Sequence, residues 1–286
     1  MYETTNLNLS SISETLFITL YLRAMESQRP DALIQDRKAE ALVKKISNAG
    51  LYDFGRIKSL HLSKANKLVI ILRNQEFDCY ARDFLKHNPD AVVVHIGCGL
   101  DSRFERVDNG YVEWCDLDLP DVIELRRKLI GDEAERYHLL GHSVLDHSWM
   151  DLVRMQGQGP FLFLAEGVFM YFTEAQVKSL VLTLRDLFPG AELVFDALSP
   201  IHAWRHNLQI HTFKVADQVY WGVWRGQEIE GWGSSSPAGG RIRLLDEWGF
   251  FDRPEPRLAH IRWLRPIEAL VRTIRIYHFR LGKAKA

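Results

Sequence analysis

Two glycines stand one residue apart where a β-branched apolar run ends, in Ala91-Val-Val-Val-His-Ile-Gly97-Cys-Gly99-Leu-Asp101-Ser-Arg103. Glycine reaches backbone angles closed to other residues and has no Cβ, so such a turn lets a ligand approach the main chain. About 20 residues on, a second strand-like segment, Val112-Glu-Trp-Cys-Asp116-Leu-Asp118, ends in acids. In a doubly wound sheet that spacing presents a carboxylate to a ribose diol. Asp116 and Asp118 lie two apart and share a side of the strand, and the one outside the sheet is placed to reach the sugar. The chemistry implied is nucleoside binding; an ordinary strand-to-loop turn followed by solvent-facing acids is the competing account.

The dinucleotide fingerprint asks for a third glycine beneath a pyrophosphate, and here Ser102 takes that position. Asp101 beside the turn would repel a pyrophosphate, which counts against NAD. S-adenosylmethionine has no phosphate, and its sulfonium and ammonium suit an acid-lined turn. Ligands of such sheets sit beyond the strand exits, which draws in three further places. The first, Gly141-His-Ser-Val-Leu-Asp146 with Ser143 and Val144, offers a hydroxyl and backbone amides that an adenine edge could meet, and taken alone it is an ordinary turn. Glu166 and Gly167 interrupt the apolar run from Phe161 to Phe172, and a carboxylate there needs a cation, either a bound one or an arginine of the chain. Asp196 closes a later strand. His202 and His206 have the i, i+4 spacing of metal ligands and His211 follows, but no carboxylate cluster accompanies them. No metal is expected, and no catalytic residue is assigned.

The elements that must position these residues follow from periodicity and punctuation. Residues 1 to about 88 read as helical: Ser13 to Glu26, a helix opened by Asp31 and stopped at Asn48-Ala-Gly50, and Lys64 to His87 closed by Asn88-Pro89. They form a cap across one end of the sheet. From Asp90 strands and helices alternate, which demands right-handed crossovers and a mainly parallel sheet. The strands are Ala91 to Ile96, Val112 to Asp118, Arg136 to Leu140, Phe161 to Ala165 and Glu192 to Ala197. The helices are Pro120 to Ile130, Ser148 to Met155 and one capped by Thr173. Ser199 to about Gly240 reads as a loop or lid, Arg241 to Trp248 as a helix, Pro266 to Val271 as a short helix and Thr273 to Leu281 as a final edge strand.

Composition narrows the class. With 36 Lys and Arg against 37 Asp and Glu and no basic block, the chain lacks an electrostatic footprint for nucleic acid or anionic membrane. Cys79, Cys98 and Cys115 make no CxxC pair, so reduced thiols and a cytoplasmic location are expected. No signal peptide is read at the start, and no apolar run is long enough to span a bilayer.

With these positions in line, the chain resembles the leucine carboxyl methyltransferase superfamily, in its bacterial branch related to the tetracenomycin polyketide O-methyltransferase. The resemblance rests on Val94-His-Ile-Gly-Cys-Gly-Leu-Asp-Ser-Arg-Phe104, Trp114-Cys-Asp-Leu-Asp-Leu-Pro-Asp-Val-Ile123, Ser143-Val-Leu-Asp-His-Ser-Trp149 and Ala165-Glu-Gly-Val-Phe-Met-Tyr171. In the cap it rests on Tyr21-Leu-Arg23-Ala-Met-Glu-Ser-Gln-Arg-Pro30, Asp36 and Leu72-Arg73. The chain departs from its relatives at His95 and Cys98, where they usually carry Asn or another small residue. The resemblance implies a class I S-adenosylmethionine-dependent methyltransferase: an α/β fold with a doubly wound, mostly parallel, seven-stranded Rossmann-like sheet. It also implies a helical cap over residues 1–88, a cofactor domain over 89–286 and a lid over about 199–240.

By matching positions, Arg73 would grip the cofactor's carboxylate, with Arg23 counted beside it. Gly97 and Gly99 would line the methionine moiety next to Asp101, Asp118 or its neighbour Asp116 would hold the ribose, Ser143 and Val144 would border adenine, and Glu166 with Gly167 would sit at the methionine end. The expected activity is O-methylation of a carboxylate or hydroxyl of a small metabolite, with polyketide-like acceptors among the kinds expected. The alternatives are methylation of a protein C-terminal carboxylate and nucleoside binding without catalysis. The acceptor would lie between cap and lid, where Trp204, Tyr220, Trp221, Trp224 and Trp232 either meet a flat acceptor or pack the lid onto the sheet.

Overall fold

The computed structural model describes residues 14–59, 62–213, 218–235, 240–267 and 272–283. The sheet is built outward from β1 (Val92–Ile96), every residue of which is buried. Such a strand needs apolar cover on both faces, and the alternation of its side chains supplies it. Val92, Val94 and Ile96 point into one core, and Val93 points into a second.

The remaining elements, in chain order, are α1 (Glu14–Ser27), α2 (Arg37–Asn48), α3 (Gly55–Ser59) and α4 (Lys64–His87) before β1; then α5 (Arg103–Val107), β2 (Glu113–Asp118), α6 (Pro120–Leu129), β3 (Tyr137–Gly141), α7 (Trp149–Gln156), β4 (Phe161–Ala165), α8 (Glu174–Leu187), β5 (Glu192–Leu198), α9 (Pro200–Phe213), α10 (Gln227–Glu230), β6 (Ile242–Trp248) and β7 (Ile274–Leu281). The strand order is β3-β2-β1-β4-β5-β7-β6. All pairings are parallel except those of β7, which runs antiparallel between β5 and β6. The fold is the doubly wound, mostly parallel, seven-stranded one.

Helices cover both faces. Trp149, Met150 and Val153 of α7 and Val177, Leu180, Val181 and Leu184 of α8 close the first core. Leu72, Phe77, Ala81 and Phe84 of α4 close the second, so α4 shares a core with Val93, Leu162, Leu164 and Val194 of the strands. Helices α1, α2 and α3 pack a third cluster onto Leu125 and Leu129 of α6 and onto Leu100, which belongs to the turn after β1. The cap thus touches the glycine turn. Helix α8 begins as its sequence implies: Thr173 accepts from the Gln176 amide and the Gln176 side chain returns to the Thr173 amide, a capping box.

Four expectations from sequence are corrected. Arg241 to Trp248 is not a helix but strand β6. Its apolar residues 242, 244, 245 and 248 satisfy helical spacing because a bulge between Leu244 and Asp246 breaks the strand alternation. Thr273 to Leu281 is a strand but not an edge one, since β6 flanks it. The loop expected from Ser199 holds α9, a helix with Pro200 at its first position, where a missing amide donor does no harm, and with Ser199 Oγ accepting from the His202 amide at 3.4 Å. The second helix starts at Arg37 rather than Asp31, with Asp36 as its cap. Residues 268–271 of the short helix expected at Pro266 to Val271, and 236–239 of the lid, lie outside the described residues. Among the described residues, no helix is long and apolar enough to cross a membrane.

One acid of α4 couples this packing to pH. Glu76 is 3 % exposed and accepts from Arg253 Nη2 at 2.7 Å. Burial pushes its carboxyl up to about 7, and Arg253 offsets only part of that. The folded chain therefore holds this proton up to about pH 7 while the unfolded chain releases it near 4.5, so stability falls as pH rises between those values. Glu76→Gln is expected to remove that decline and to be more stable than wild type at pH 8 by about 1–3 kcal/mol. Denaturant melts of both proteins at several pH values check this; parallel pH profiles would refute it.

Candidate active site

The turn after β1 is unusual in its backbone. Gly97 and Gly99 have φ of 64° and 50°, in the left-handed region that favours glycine. Both are also closely approached: a Cβ on Gly97 would collide with Val168 Cγ2, and one on Gly99 with Leu16 Cδ2. The Gly97 amide donates to the Leu117 carbonyl at 2.7 Å and the Gly99 amide to Asp118 Oδ2 at 2.8 Å. Asp118, at the tip of β2, also accepts from the Leu119 amide through Oδ1 at 2.8 Å. Burial raises its carboxyl pKa despite these two donors. The His142 amide donates to the Asp118 carbonyl at 2.9 Å, which sets Ser143 and Val144 beside the β2 exit. The glycine turn, Asp118 and the Ser143–Val144 stretch are thus brought together.

Asp116 is not with them. It is 1 % exposed and is paired with Arg126, the Tyr137 hydroxyl and the Trp114 indole. Of the two acids, Asp118 ends the strand and is only partly buried, whereas Asp116 lies within it.

The cap-facing end of the site is a buried network of ion pairs. Glu166 accepts from Arg73 Nε at 3.0 Å, Arg103 Nη2 at 2.5 Å and Asn74 Nδ2 at 3.3 Å. Arg73 Nη1 donates to Asp196 Oδ2 at 3.0 Å, and the Gly167 amide donates to Asp196 Oδ1 at 2.5 Å. Asp101 is held by Arg106 at 2.8 Å and Arg103 at 3.1 Å, with Arg23 at 3.6 Å. Arg103 and Arg106 continue to Asp78 on α4, and Arg106 and Arg23 to Asp36. Burial works against ionised Asp101, but Arg106, Arg23 and Arg103 overcome it and hold its carboxyl well below the usual range. Glu166 is likewise lowered, by Arg103 and Arg73 against burial. For Asp196 burial wins over Arg73, and its carboxyl is raised.

Of the two cations weighed for Glu166, the structure supplies arginines of the chain. Arg23 and Asp101 are equally engaged: Arg23 is 3 % exposed, with Nε on Asp36 at 3.0 Å and Nη2 on the Leu100 carbonyl at 2.8 Å. Arg73 engages Glu166 through Nε and Asp196 through Nη1, and its Nη2 is turned toward Gly167. That nitrogen would lie 3.3 Å from a Cβ on Gly167, whose φ is 69°. Sequence reasoning missed Asn74, Asp78, Arg103 and Arg106 as parts of this network. The helical offset of Asn74 and Asp78 on the buried side of α4 was the one available sign.

The other residues singled out from sequence lie elsewhere. Trp221 and Trp232 are buried against the sheet, with Trp221 stacked 6.2 Å from Phe195, whereas Trp204, Tyr220 and Trp224 are exposed. His202 and His206 are half-buried on α9, and the His211 side chain lies outside the described residues. Among the described residues, no three metal-ligating side chains gather into a site. Cys98 and Cys115 are buried and free, and burial raises both thiols, so neither is an activated nucleophile.

A model of the family described as leucine carboxyl methyltransferase matches residues 17–185, more than half of the chain and all of the strand exits from β1 to β4. The chain belongs to that family. The tetracenomycin polyketide synthesis O-methyltransferase TcmP of Streptomyces glaucescens is 33 % identical over 252 residues, which cover 87 % of this chain and 86 % of that protein. The S-adenosyl-L-methionine-dependent methyltransferase dpfgK of Gibberella zeae is 33 % identical over 202 residues, or 66 % of this chain and 67 % of that one. Two solved structures share the fold, each with a TM-score of 0.59. One is a duf574 family protein from Streptomyces avermitilis MA-4680, 13 % identical, covering 95 % of this chain and 98 % of its own. The other, from Thermobifida fusca YX, is 15 % identical and covers 99 % and 100 %.

This member of the leucine carboxyl methyltransferase family is an S-adenosylmethionine-dependent enzyme, and its residues fit that cofactor. Val168 and Leu16 pack where a Cβ would stand on either glycine, and the Gly99 amide meets Asp118 at the paired strand exits. The Arg73 Nη2 offers a donor of the geometry a carboxylate takes. The linked network contains five carboxylates (Asp36, Asp78, Asp101, Glu166 and Asp196) and five guanidiniums (Arg23, Arg73, Arg82, Arg103 and Arg106), so the chain balances its own charge there.

Proposed function

We propose that the enzyme methylates an oxygen of a small metabolite, with an ionised carboxylate as the preferred acceptor. The observation that carries this is the 33 % identity to a polyketide O-methyltransferase, which extends over 87 % of the chain and is not confined to the cofactor motifs. S-adenosylmethionine supplies a methyl group already activated by its positive sulfur. Arg73 would hold its carboxylate, Asp118 would accept from the ribose, Ser143 and Val144 would border adenine, and the Gly97–Gly99 turn would lie against the chain of the methionine. Asp101, Glu166 and Asp196 hold Arg73 and Arg103 in place.

The protein's part in the transfer is alignment and exclusion of water. A carboxylate acceptor fits the side chains present. The charged groups at the strand exits are engaged with one another, and such an acceptor is already ionised and asks for no base. A phenol would need one.

Calorimetry with S-adenosylmethionine, S-adenosylhomocysteine and NAD in parallel, followed by a labelled-methyl screen of carboxylic acids and phenols, tests the proposal. Binding of the first two without the third, and a labelled product from an acid that mild alkali destroys as it does methyl esters, is the expected result. An alkali-stable product would assign a phenol or alcohol. Label taken up only by protein would assign a protein terminus. Binding without turnover on any acceptor would make the chain a nucleoside-binding protein.

A further inference from the structure

Asp116, set aside above as a cofactor contact, belongs to an assembly that touches the glycine turn from behind. Arg126 ends α6 in the run Arg126-Arg127-Lys128, a place where basic residues usually sit in solvent by the helix C-terminus. It is instead 1 % exposed. Its Nη1 donates to the Gly99 carbonyl at 2.6 Å and to the Asp101 carbonyl at 2.9 Å. Its Nη2 donates to the Tyr137 hydroxyl at 2.8 Å and to Asp116. Tyr137 in turn donates to Asp116 Oδ2 at 2.6 Å, and the Trp114 indole donates to Oδ1 at 2.8 Å. With Arg23 holding the Leu100 carbonyl from the cap side, three consecutive carbonyls of the turn each end on a buried guanidinium.

We infer that Arg126 is a positioning residue: braced by Asp116 and Tyr137, it fixes the Gly99 and Asp101 peptides and presets the cofactor-binding turn before any ligand arrives. Two glycines one residue apart have the largest conformational freedom to lose, and without a brace the turn would pay that cost on binding. Buried carbonyls also need donors, and a single planar fork serves two of them while its other nitrogen is anchored in the sheet. Lysine carries the same charge but cannot span both sets of partners.

The inference rests on the proposal that the cofactor uses this turn, so its test has one arm that needs no cofactor. Amide hydrogen exchange at residues 97–101 is measured in ligand-free wild type, Tyr137→Phe, Arg126→Lys and Phe188→Leu, alongside the dissociation constant for S-adenosylmethionine. Phe188 is a core residue packed on Phe161 and Phe163, remote from the turn, and its variant reports general destabilisation. Exchange at the turn should quicken about tenfold in Tyr137→Phe and more in Arg126→Lys, with affinity weakened by about three- to tenfold, the range of one ordinary hydrogen bond. Phe188→Leu should lower Tm and move neither readout. Should Arg126→Lys fail to fold, Tyr137→Phe decides. Turn exchange at the wild-type rate in Tyr137→Phe overturns the inference. If wild type binds no S-adenosylmethionine, the functional proposal falls while the exchange arm still judges the brace.

Discussion

Arg103→Met is expected to lower the unfolding free energy by about 3–5 kcal/mol, the cost of removing one partner from a buried ion pair. The side chain is wholly buried and meets Asp78 at 2.8 Å, Asp101 at 3.1 Å, Glu166 at 2.5 Å and His95 Nε2 at 3.0 Å. Methionine fills the space but leaves these carboxylates desolvated with fewer cations. Acid sensitivity should shift with stability. Asp101, Glu166 and Asp78 have lowered pKa values in the fold, so their contribution is present above the ordinary carboxylate range and is lost as pH falls through the depressed values. Without Arg103 those values rise and acid unfolding moves to higher pH. Adding Glu166→Gln to Arg103→Met should recover part of the loss, because it removes one of the uncompensated charges. Denaturant melts at neutral and acidic pH measure both effects. A loss below about 1 kcal/mol, typical of surface pairs, would mean that the network does not hold the cap to the sheet.

The parts of the fold that were legible from sequence are those where one local rule acts alone. β1 shows as an unbroken β-branched run because it is buried on both faces. Helix α4 was placed at its observed ends, since Ser63 caps it and Asn88-Pro89 stops it. β6 was misassigned because its register slips at the bulge, a feature set by the partner strand and invisible in the segment itself. Helix α9 has weak amphipathic patterning, with His202, Trp204 and His206 set among its apolar positions, so periodicity alone does not mark it.

The site shows the same division. Gly97, Gly99 and Asp118 were found because a bare turn and an acid at fixed spacing have a reason that can be written in one strand and one turn. Glu166 was recognised as a buried charge in need of a cation, but only tertiary packing could say which arginine. The answer, Arg73 and Arg103 together, lies 93 and 63 residues away. Asp116 misled for a related reason. It shares a face with Asp118, and what separates their roles is Arg126, whose inward turn from a basic helix end has no local signature.

Gly97→Ala should abolish measurable cofactor binding or weaken it by at least about tenfold, equivalent to 1.4 kcal/mol, because two independent costs fall on the same atom. The first is backbone: a left-handed φ of 64° costs a residue with a Cβ about 1–2 kcal/mol. The second is contact, since that Cβ would collide with Val168 Cγ2. Gly50 separates the two. It has the same φ of 64°, but a Cβ there would meet nothing within 4 Å. Gly50→Ala should therefore show the backbone cost as a loss of stability and leave affinity for S-adenosylmethionine unchanged. Gly97→Ala should lose more stability and the affinity as well, because the turn must shift to clear Val168. Combining it with Val168→Ala relieves the collision, so the double variant should recover affinity in part and fall to a stability loss like that of Gly50→Ala. Melts and calorimetry on the four proteins decide the matter. If Gly97→Ala proves no more costly than Gly50→Ala and binds the cofactor normally, the close approach of Val168 has no bearing on the turn, and the methionine end of the ligand must lie elsewhere.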